Sequence, residues 1–246
     1  MKIIGDAGIE YIELWGEVPH AYPDWVDRKR LRDTLSTYNF TTTMHAPFTD
    51  LNLAAAFDPV KSAVARTLKD FVKFAVGLDA VRITFHPGSV HSSVLVSQSM
   101  EDAVGLLSQL VKVADGSLAI NVENRTRSHS PYEFPLGSNA ESIGTLLWNA
   151  KGTRYTLDTG HAHASGIDPI TLYRRYKDDV TEVHLSDNGG ASDEHLIPGQ
   201  GTANLRELLN EISGTDIFVC LELNPFKYSQ EQVLQVADKL KHGSLF

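Results

Sequence analysis

The chain has 246 residues, of which 42% are hydrophobic, and this is enough to bury one sizeable core. Its net charge of −9 argues against strong nonspecific binding to nucleic acid, because an acidic surface repels phosphate. Cys220 is the only cysteine, which excludes a disulfide within the chain. Together with the lack of a signal peptide and of a long apolar segment, this predicts a cytoplasmic protein that does not enter a membrane.

Short strands alternate with longer helices in the predicted order of elements. After an opening helix over Lys2–Ala7, the strands are predicted at Ile9–Trp15, Thr41–His45, Val81–His86, Leu118–Asn124, Arg154–Asp158, Thr181–Leu185 and Ile217–Leu223. Helices are predicted between and after them at 27–38, 58–76, 98–114, 139–150, 167–177, 203–212 and 229–241. This alternation, without a break in composition, predicts a parallel α/β fold in a single domain over residues 1–246.

The predicted strands number seven, one fewer than an eight-stranded α/β barrel contains. Two alternatives follow: the barrel is open between its first and last strands, or the start site has been placed late and a first strand precedes Met1. An open barrel would expose two strand edges, which usually need to be covered. We therefore expect that a homodimer covers these edges if the barrel is open.

Histidine or an acidic residue stands at the end of six consecutive predicted strands. These residues are His45, His86, Glu123, Asp158, His184 and Glu222. In the following loops, His161 lies after Asp158, and Asp193 and His195 lie after His184. A single histidine at a strand end is more often structural than a ligand, but parallel barrel strands end on one face, so the whole set is expected to converge. Imidazole and carboxylate groups together predict a divalent-metal site for Zn²⁺ or Mn²⁺, and a cation would relieve the repulsion between the carboxylates.

Other residues near these strand ends are candidates for binding a substrate. Arg125 and Arg127 follow Glu123 at the start of a long loop and could contact an anionic group, with simple solvation as the alternative. Phe48 is the aromatic residue near His45. The segment Gly199-Gln200-Gly201 precedes a helix, so its amides either hold a phosphate or form a plain tight turn.

Seven short motifs in this order resemble the endonuclease IV and xylose isomerase-like TIM-barrel superfamily, also called AP endonuclease family 2. The motifs are His45-Ala46-Pro47, Phe85-His86-Pro87-Gly88, Val122-Glu123-Asn124, Leu157-Asp158-Thr159-Gly160-His161, Val183-His184-Leu185-Ser186-Asp187, Asp193-Glu194-His195 and Leu221-Glu222. The resemblance covers nearly the whole chain, from residue 9 to residue 240. It implies a TIM (β/α)8-type barrel that lacks its first strand in this chain.

The endonuclease IV branch of this superfamily holds three metals with nine such side chains. By resemblance, His45, His86 and Glu123 would hold the first, and Glu123, Asp158, His184 and Glu222 the second. His161, Asp193 and His195 would hold the third. All nine residue types are present, which favours a hydrolase with up to three metals per chain. Such a cluster would activate a bridging water for attack on a phosphate ester of a sugar-type or abasic-nucleotide substrate.

The isomerase and epimerase branch keeps only the four-residue site of Glu123, Asp158, His184 and Glu222. There the two glutamates act as an acid–base pair on an α-hydroxy carbonyl substrate, and His161 would contact the substrate. This is the main alternative, and a non-catalytic metal- or sugar-binding module is a second one. A small phosphorylated sugar is expected rather than duplex DNA, because the loops lack the basic and wedge side chains that grip DNA.

Overall fold

The computed structural model describes residues 1–246 and contains one large parallel sheet. Its seven strands are β1 (Tyr11–Trp15), β2 (Thr41–His45), β3 (Arg82–Phe85), β5 (Ala119–Glu123), β7 (Thr153–Asp158), β8 (Val180–Leu185) and β9 (Phe218–Leu221). Each strand pairs in parallel with the next, in chain order. This nearly closed barrel confirms the predicted fold class and the count of seven strands.

Helices connect the strands and cover the outside of the sheet. They are α1 (Lys2–Asp6), α2 (Arg28–Thr37), α3 (Asp58–Val76), α4 (Val96–Ala114), α5 (Ala140–Asn149), α6 (Thr159–Ala164), α7 (Pro169–Tyr176), α8 (Leu205–Ile212) and α9 (Gln230–Lys241). The ends of several helices follow from their sequence. For example, α7 begins with Pro169 at its first position, and the Asp168 side chain accepts a hydrogen bond from the amide of Ile170. The sequence did not predict α6, and this helix carries His161.

Alternation along the strands separates the apolar core from the barrel interior. On β8, Val183 and Leu185 belong to the hydrophobic core, whereas Glu182 and His184 lie on the other face. The core lies between the sheet and the helices, where α3 contributes residues such as Leu68 and Phe71. The inward-facing side chains are largely polar, and those nearest the carboxyl ends of the strands are the residues of the predicted metal site.

The sheet is not closed between its two terminal strands, because β1 pairs only with β2 and β9 only with β8. The rings of Tyr11 and Phe218 meet edge-on across this gap, with their centroids 4.7 Å apart. A cavity of about 480 Å³ lies between the two strands and α9, and Glu13 and Glu182 line its inner wall. The homodimer expected to cover these edges stays a prediction.

Two loops at the carboxyl ends of the strands are joined by a small antiparallel sheet of β4 (Ser89–Val90) and β6 (Phe134–Pro135). Asn52 holds β4 from the other side, since its side chain donates to the carbonyl of Ser89 and accepts from the Ser89 amide. These contacts order the rim of the face on which the predicted site lies. None of the helices has the length and apolar character needed to cross a membrane.

Candidate metal centre

The six histidine and acidic residues predicted at strand ends all lie at the carboxyl end of the barrel. His45, Glu123 and Asp158 are the last residues of β2, β5 and β7, and His184 is the penultimate residue of β8. His86 and Glu222 directly follow β3 and β9. Because each strand alternates, these side chains share the face that points into the barrel. All six except Glu222 are buried.

Glu123 lies at the centre of the cluster, with its two carboxylate oxygens facing different histidines. Oε2 lies 3.1 Å from Nε2 of both His45 and His86. Oε1 lies 3.0 Å from Nδ1 of His161 and 3.6 Å from Nδ1 of His184. This arrangement matches the bridging position that the resemblance implied for Glu123.

His184 joins Glu123 to Glu222 and Asp158. Nδ1 of His184 lies 2.9 Å from Oε1 of Glu222, yet this nitrogen has no hydrogen-bond partner. Oδ2 of Asp158 is likewise buried without a partner, and oxygen and nitrogen atoms of Glu123, Asp158 and His184 lie within 4.8 Å of one another. Buried polar atoms normally find partners, so such convergence of unpartnered atoms fits a cation that would bind them.

His161, Asp193 and His195 form the loop-borne part of the cluster. Oδ2 of Asp193 lies 3.3 Å from Nε2 of His161 and 2.9 Å from Nε2 of His195. Gly160 permits this approach, because a Cβ atom there would clash with Ser186 and come within 2.9 Å of Asp193. The structure therefore brings together all nine side chains predicted as ligands, and their role as ligands stays a prediction.

Three of the histidines are oriented in the way that is common for metal ligands. In each, the Nδ1–H group donates to a backbone carbonyl at 2.8–2.9 Å. His45 donates to Ala46, His161 to Asn124, and His195 to Glu222. Each of these bonds leaves Nε2 facing the carboxylates, where a bound metal would replace its hydrogen.

Burial and mutual contact shift the pKa values of these groups in opposite directions. Burial raises the pKa of Asp158 to about 7, even though His161 opposes the shift. Burial opposes ionisation of Glu222 too, but His184 lowers its pKa to about 2. Burial lowers the pKa of His86 to about 3. Because the carboxylates compete for these imidazoles, a bound cation would compensate charge that the histidines compensate only in part.

The residues predicted to bind substrate lie beside His86. Nη1 of Arg125 donates to Nδ1 of His86 at 2.5 Å. The ring of Phe48 packs 4.3 Å from that of His86 and 5.3 Å from that of His45. Arg125 therefore contacts His86, and Phe48 packs against His86 and His45, while substrate binding by Arg125 and Phe48 stays a prediction.

Asp187 holds the loop that follows β8, a role that the sequence did not reveal. Its fully buried carboxylate accepts hydrogen bonds from the amides of Asn188, Gly199, Gly201 and Ala203, at 2.8–3.1 Å. The Gly199 and Gly201 amides are therefore occupied, and this segment is a turn around Asp187 rather than a phosphate site. The loop between these residues carries Asp193 and His195.

Glu13 was also missed, although it lies in the middle of β1 with its side chain only 8% exposed. Oε2 of Glu13 lies 3.2 Å from Nε2 of His184, the nitrogen that faces away from the cluster. A charged residue between the apolar neighbours Ile12 and Leu14 was the available signal, because alternation places Glu13 on the inward face.

A parallel α/β barrel with histidine and carboxylate side chains at its strand ends is the class of protein that these observations define. The chain belongs to the xylose isomerase-like TIM-barrel family, whose model matches residues 1–241. This result confirms the superfamily that the sequence motifs resembled.

Several proteins with known names are similar to this chain. A crystal structure of a D-tagatose 3-epimerase-like protein is 27% identical and covers 98% of this chain and 91% of its own, with a TM-score of 0.86. The IolI protein, crystallised with a zinc atom, has the same fold at 17% identity, with a TM-score of 0.81 over 99% of this chain and 91% of its own. Fructoselysine 3-epimerase from Shigella flexneri is 24% identical over 219 residues, covering 84% of this chain and 77% of its own. The relatives therefore favour the isomerase or epimerase alternative over the hydrolase that the sequence favoured.

Proposed function

We propose that this protein is a divalent-metal-dependent isomerase or epimerase of a small sugar-type substrate. The observation that carries the proposal is the placement of two glutamates, Glu123 and Glu222, against the same nitrogen of His184. An α-hydroxy carbonyl compound held at this point would have a carboxylate available on each side. The similarity to 3-epimerases supports this choice over hydrolysis.

Glu123, Asp158, His184 and Glu222 would hold one metal ion, for which Zn²⁺ and Mn²⁺ are the candidates. When bound, this ion would polarise the oxygen atoms of the substrate and stabilise negative charge on them. Zinc in the IolI structure supports a divalent metal in this fold. Up to two further ions could bind. One would be held by His45 and His86 together with Glu123, and the other by His161, Asp193 and His195.

The two glutamates would serve as the acid–base pair. Both have pKa values below the ordinary range, since nearby histidines outweigh the effect of burial, so both are carboxylates at neutral pH. One glutamate would take the proton from the carbon beside the carbonyl. The other would take a proton from solvent and give it to the carbon skeleton, and the first would release its proton to solvent at the end of the turnover. His161 lies 3.0 Å from Glu123 and would contact the substrate from the side of α6.

Arg125 and Phe48 would determine which sugars bind. The guanidinium of Arg125 contacts His86 and forms no salt bridge with the carboxylates of the cluster, which leaves its charge available to a substrate anion. Phe48 would pack against the apolar part of the substrate. We therefore expect a phosphorylated sugar to be a better substrate than its neutral counterpart.

Proton exchange is the sharpest test, because it does not require knowledge of the final product. The protein loaded with Mn²⁺ or Zn²⁺ is incubated in D₂O with a panel of ketoses and ketose phosphates, and deuterium incorporation next to the carbonyl is followed by NMR. Glu123→Gln and Glu222→Gln should each lower the rate of incorporation by about 100-fold or more, whereas Glu141→Gln, on the exposed surface, should leave it unchanged. Phosphate release or cleavage of an abasic-site duplex, without proton exchange on any sugar, would contradict the proposal.

Hydrolysis remains a second candidate because of one observation: the structure also gathers the five side chains that a one-metal isomerase does not need as ligands. These are His45, His86, His161, Asp193 and His195. If they bind metal, three ions per chain would be found by elemental analysis. One ion per chain would favour the isomerase or epimerase.

A further inference from the structure

Glu13 occupies the side of His184 that faces away from the metal-ligand cluster. The two side chains are joined by a contact of 3.2 Å between Oε2 of Glu13 and Nε2 of His184. His184 is fully buried, and the side chain of Glu13 is 8% exposed. Solvent therefore contributes little to the orientation of this imidazole, and Glu13 is the hydrogen-bonding partner that holds it.

The two nitrogens of His184 have opposite surroundings. Nδ1 faces Glu222 and Glu123, at 2.9 and 3.6 Å, and accepts no hydrogen bond there. A ring nitrogen that binds a metal carries no hydrogen, so Nε2 must carry it and needs an acceptor. The only carboxylate within hydrogen-bonding distance of Nε2 is that of Glu13.

We propose that Glu13 is a positioning residue that fixes the tautomer and orientation of His184, and thereby sets the affinity of the cluster for its metal. This inference rests on the proposed metal centre. Partners of this kind typically change metal affinity 10- to 100-fold when they are removed. Glu13 would accept the proton of Nε2, and Nδ1 would present its lone pair to the metal.

His184 differs in this respect from the other well-oriented histidines of the cluster. His45, His161 and His195 donate to backbone carbonyls, which no side-chain substitution removes. The partner of His184 is an ionisable side chain, and a carboxylate makes the imidazole a stronger ligand than a carbonyl does. Residue 13 is therefore a position at which a substitution can change metal affinity without touching a ligand.

A neighbouring glutamate supplies the matched control. Glu182 is 1% exposed and accepts a hydrogen bond from Thr43 at 3.0 Å, and its other oxygen has no partner. It lies in the same interior layer as Glu13 but makes no hydrogen bond with His184. Atoms of Glu13, Glu182 and His184 are also close enough to form a separate cation site. In that case, substitution of either glutamate would weaken metal binding equally.

The test is the dissociation constant of Mn²⁺ and of Zn²⁺, measured by competition with a chelator, for wild type and three variants. We expect Glu13→Ala to raise the constant about 10- to 100-fold. Glu13→Gln, which keeps an oxygen acceptor, should fall between Glu13→Ala and wild type. Glu182→Gln should leave the constant unchanged. Equal weakening by Glu13→Ala and Glu182→Gln would contradict the proposal in favour of a separate cation site.

Two further measurements distinguish a loss of folded protein from a change in the orientation of His184. Thermal unfolding of the metal-free variants identifies any loss of folded protein, and ¹⁵N NMR of the histidines in the Zn²⁺-loaded proteins reports the tautomer of His184 directly. We expect the hydrogen on Nε2 in wild type and a mixture of tautomers in Glu13→Ala. Unchanged metal affinity in a folded Glu13→Ala variant would overturn the inference alone. A wild-type chain that binds neither metal would overturn the proposed function as well.

Discussion

The two parts of the cluster are built on different kinds of support. Glu123, Asp158 and His184 lie on paired strands at the centre of the sheet, and Glu222 directly follows β9. His161, by contrast, lies on a six-residue helix, and Asp193 and His195 lie on an irregular loop around Asp187. Strands of a barrel hold their ends at fixed positions, whereas a loop needs its own anchors. We call Glu123, Asp158, His184 and Glu222 the strand-borne set. We call His161, Asp193 and His195 the loop-borne set. We expect the strand-borne set to carry out the basic reaction and the loop-borne set to modify its rate.

The largest expected effect is that of Glu123→Gln, which removes a charge from the strand-borne set. Glu123 contacts four histidines of the cluster, and it is one half of the proposed acid–base pair. We expect a loss of activity on the order of 10²- to 10⁴-fold, measured as proton exchange on the best ketose or ketose phosphate. Full exchange activity in this variant would show that the two glutamates do not form the acid–base pair.

The sequence was sufficient to predict the strand-borne set, because parallel strands end on one face and inward positions alternate along each strand. It was less informative about the loops. The helix α6 is only six residues long and is capped by Asp158 itself, which accepts from the amide of His161. Periodicity over so short a segment carries little information. The four amides around Asp187 come from residues spread over a 16-residue segment, and no local pattern reveals their convergence.

Asp187→Ala should disturb the loop-borne set and leave the strand-borne set in place. It removes a buried carboxylate that accepts hydrogen bonds from four backbone amides, which should lower the free energy of unfolding by about 3–4 kcal/mol. Denaturant unfolding measures this loss, and hydrogen exchange should show faster exchange at the Gly199 and Gly201 amides. If the strand-borne set acts independently, the folded variant will keep most of its affinity for the metal proposed to bind Glu123, Asp158, His184 and Glu222. A complete loss of metal binding in folded protein would refute that independence.

Glu182→Gln should change the dependence of stability on pH. Burial, with Glu13 nearby, raises the pKa of Glu182 from 4.5 to about 7. Between pH 4.5 and pH 7 the folded protein keeps the proton of Glu182, whereas the unfolded chain loses it. The free energy of unfolding therefore falls as pH rises through this range. The expected loss is about 3 kcal/mol. Metal-free Glu182→Gln should lack this component and be more stable than wild type at pH 8, and a parallel pH profile for both proteins would contradict the assignment.

The smallest effect is expected for His195→Ala, on the loop-borne side. A one-metal isomerase or epimerase does not require this imidazole as a ligand, so its activity should fall by less than about tenfold. A multinuclear hydrolase would lose a ligand of its third metal and most of its activity. Steady-state assays of the same variant on ketose phosphates and on a phosphodiester substrate will separate these results.

The most direct test is a crystal structure of the metal-loaded protein with anomalous scattering recorded at the absorption edge of the bound metal. The proposed function predicts a peak bonded to Glu123, Asp158, His184 and Glu222, at about 2.0–2.2 Å from their ligand atoms. It also predicts that a substrate analogue lies between the two glutamates. A peak confined to His161, Asp193 and His195, or four strand-borne side chains that bind no ion at saturating metal, would contradict it.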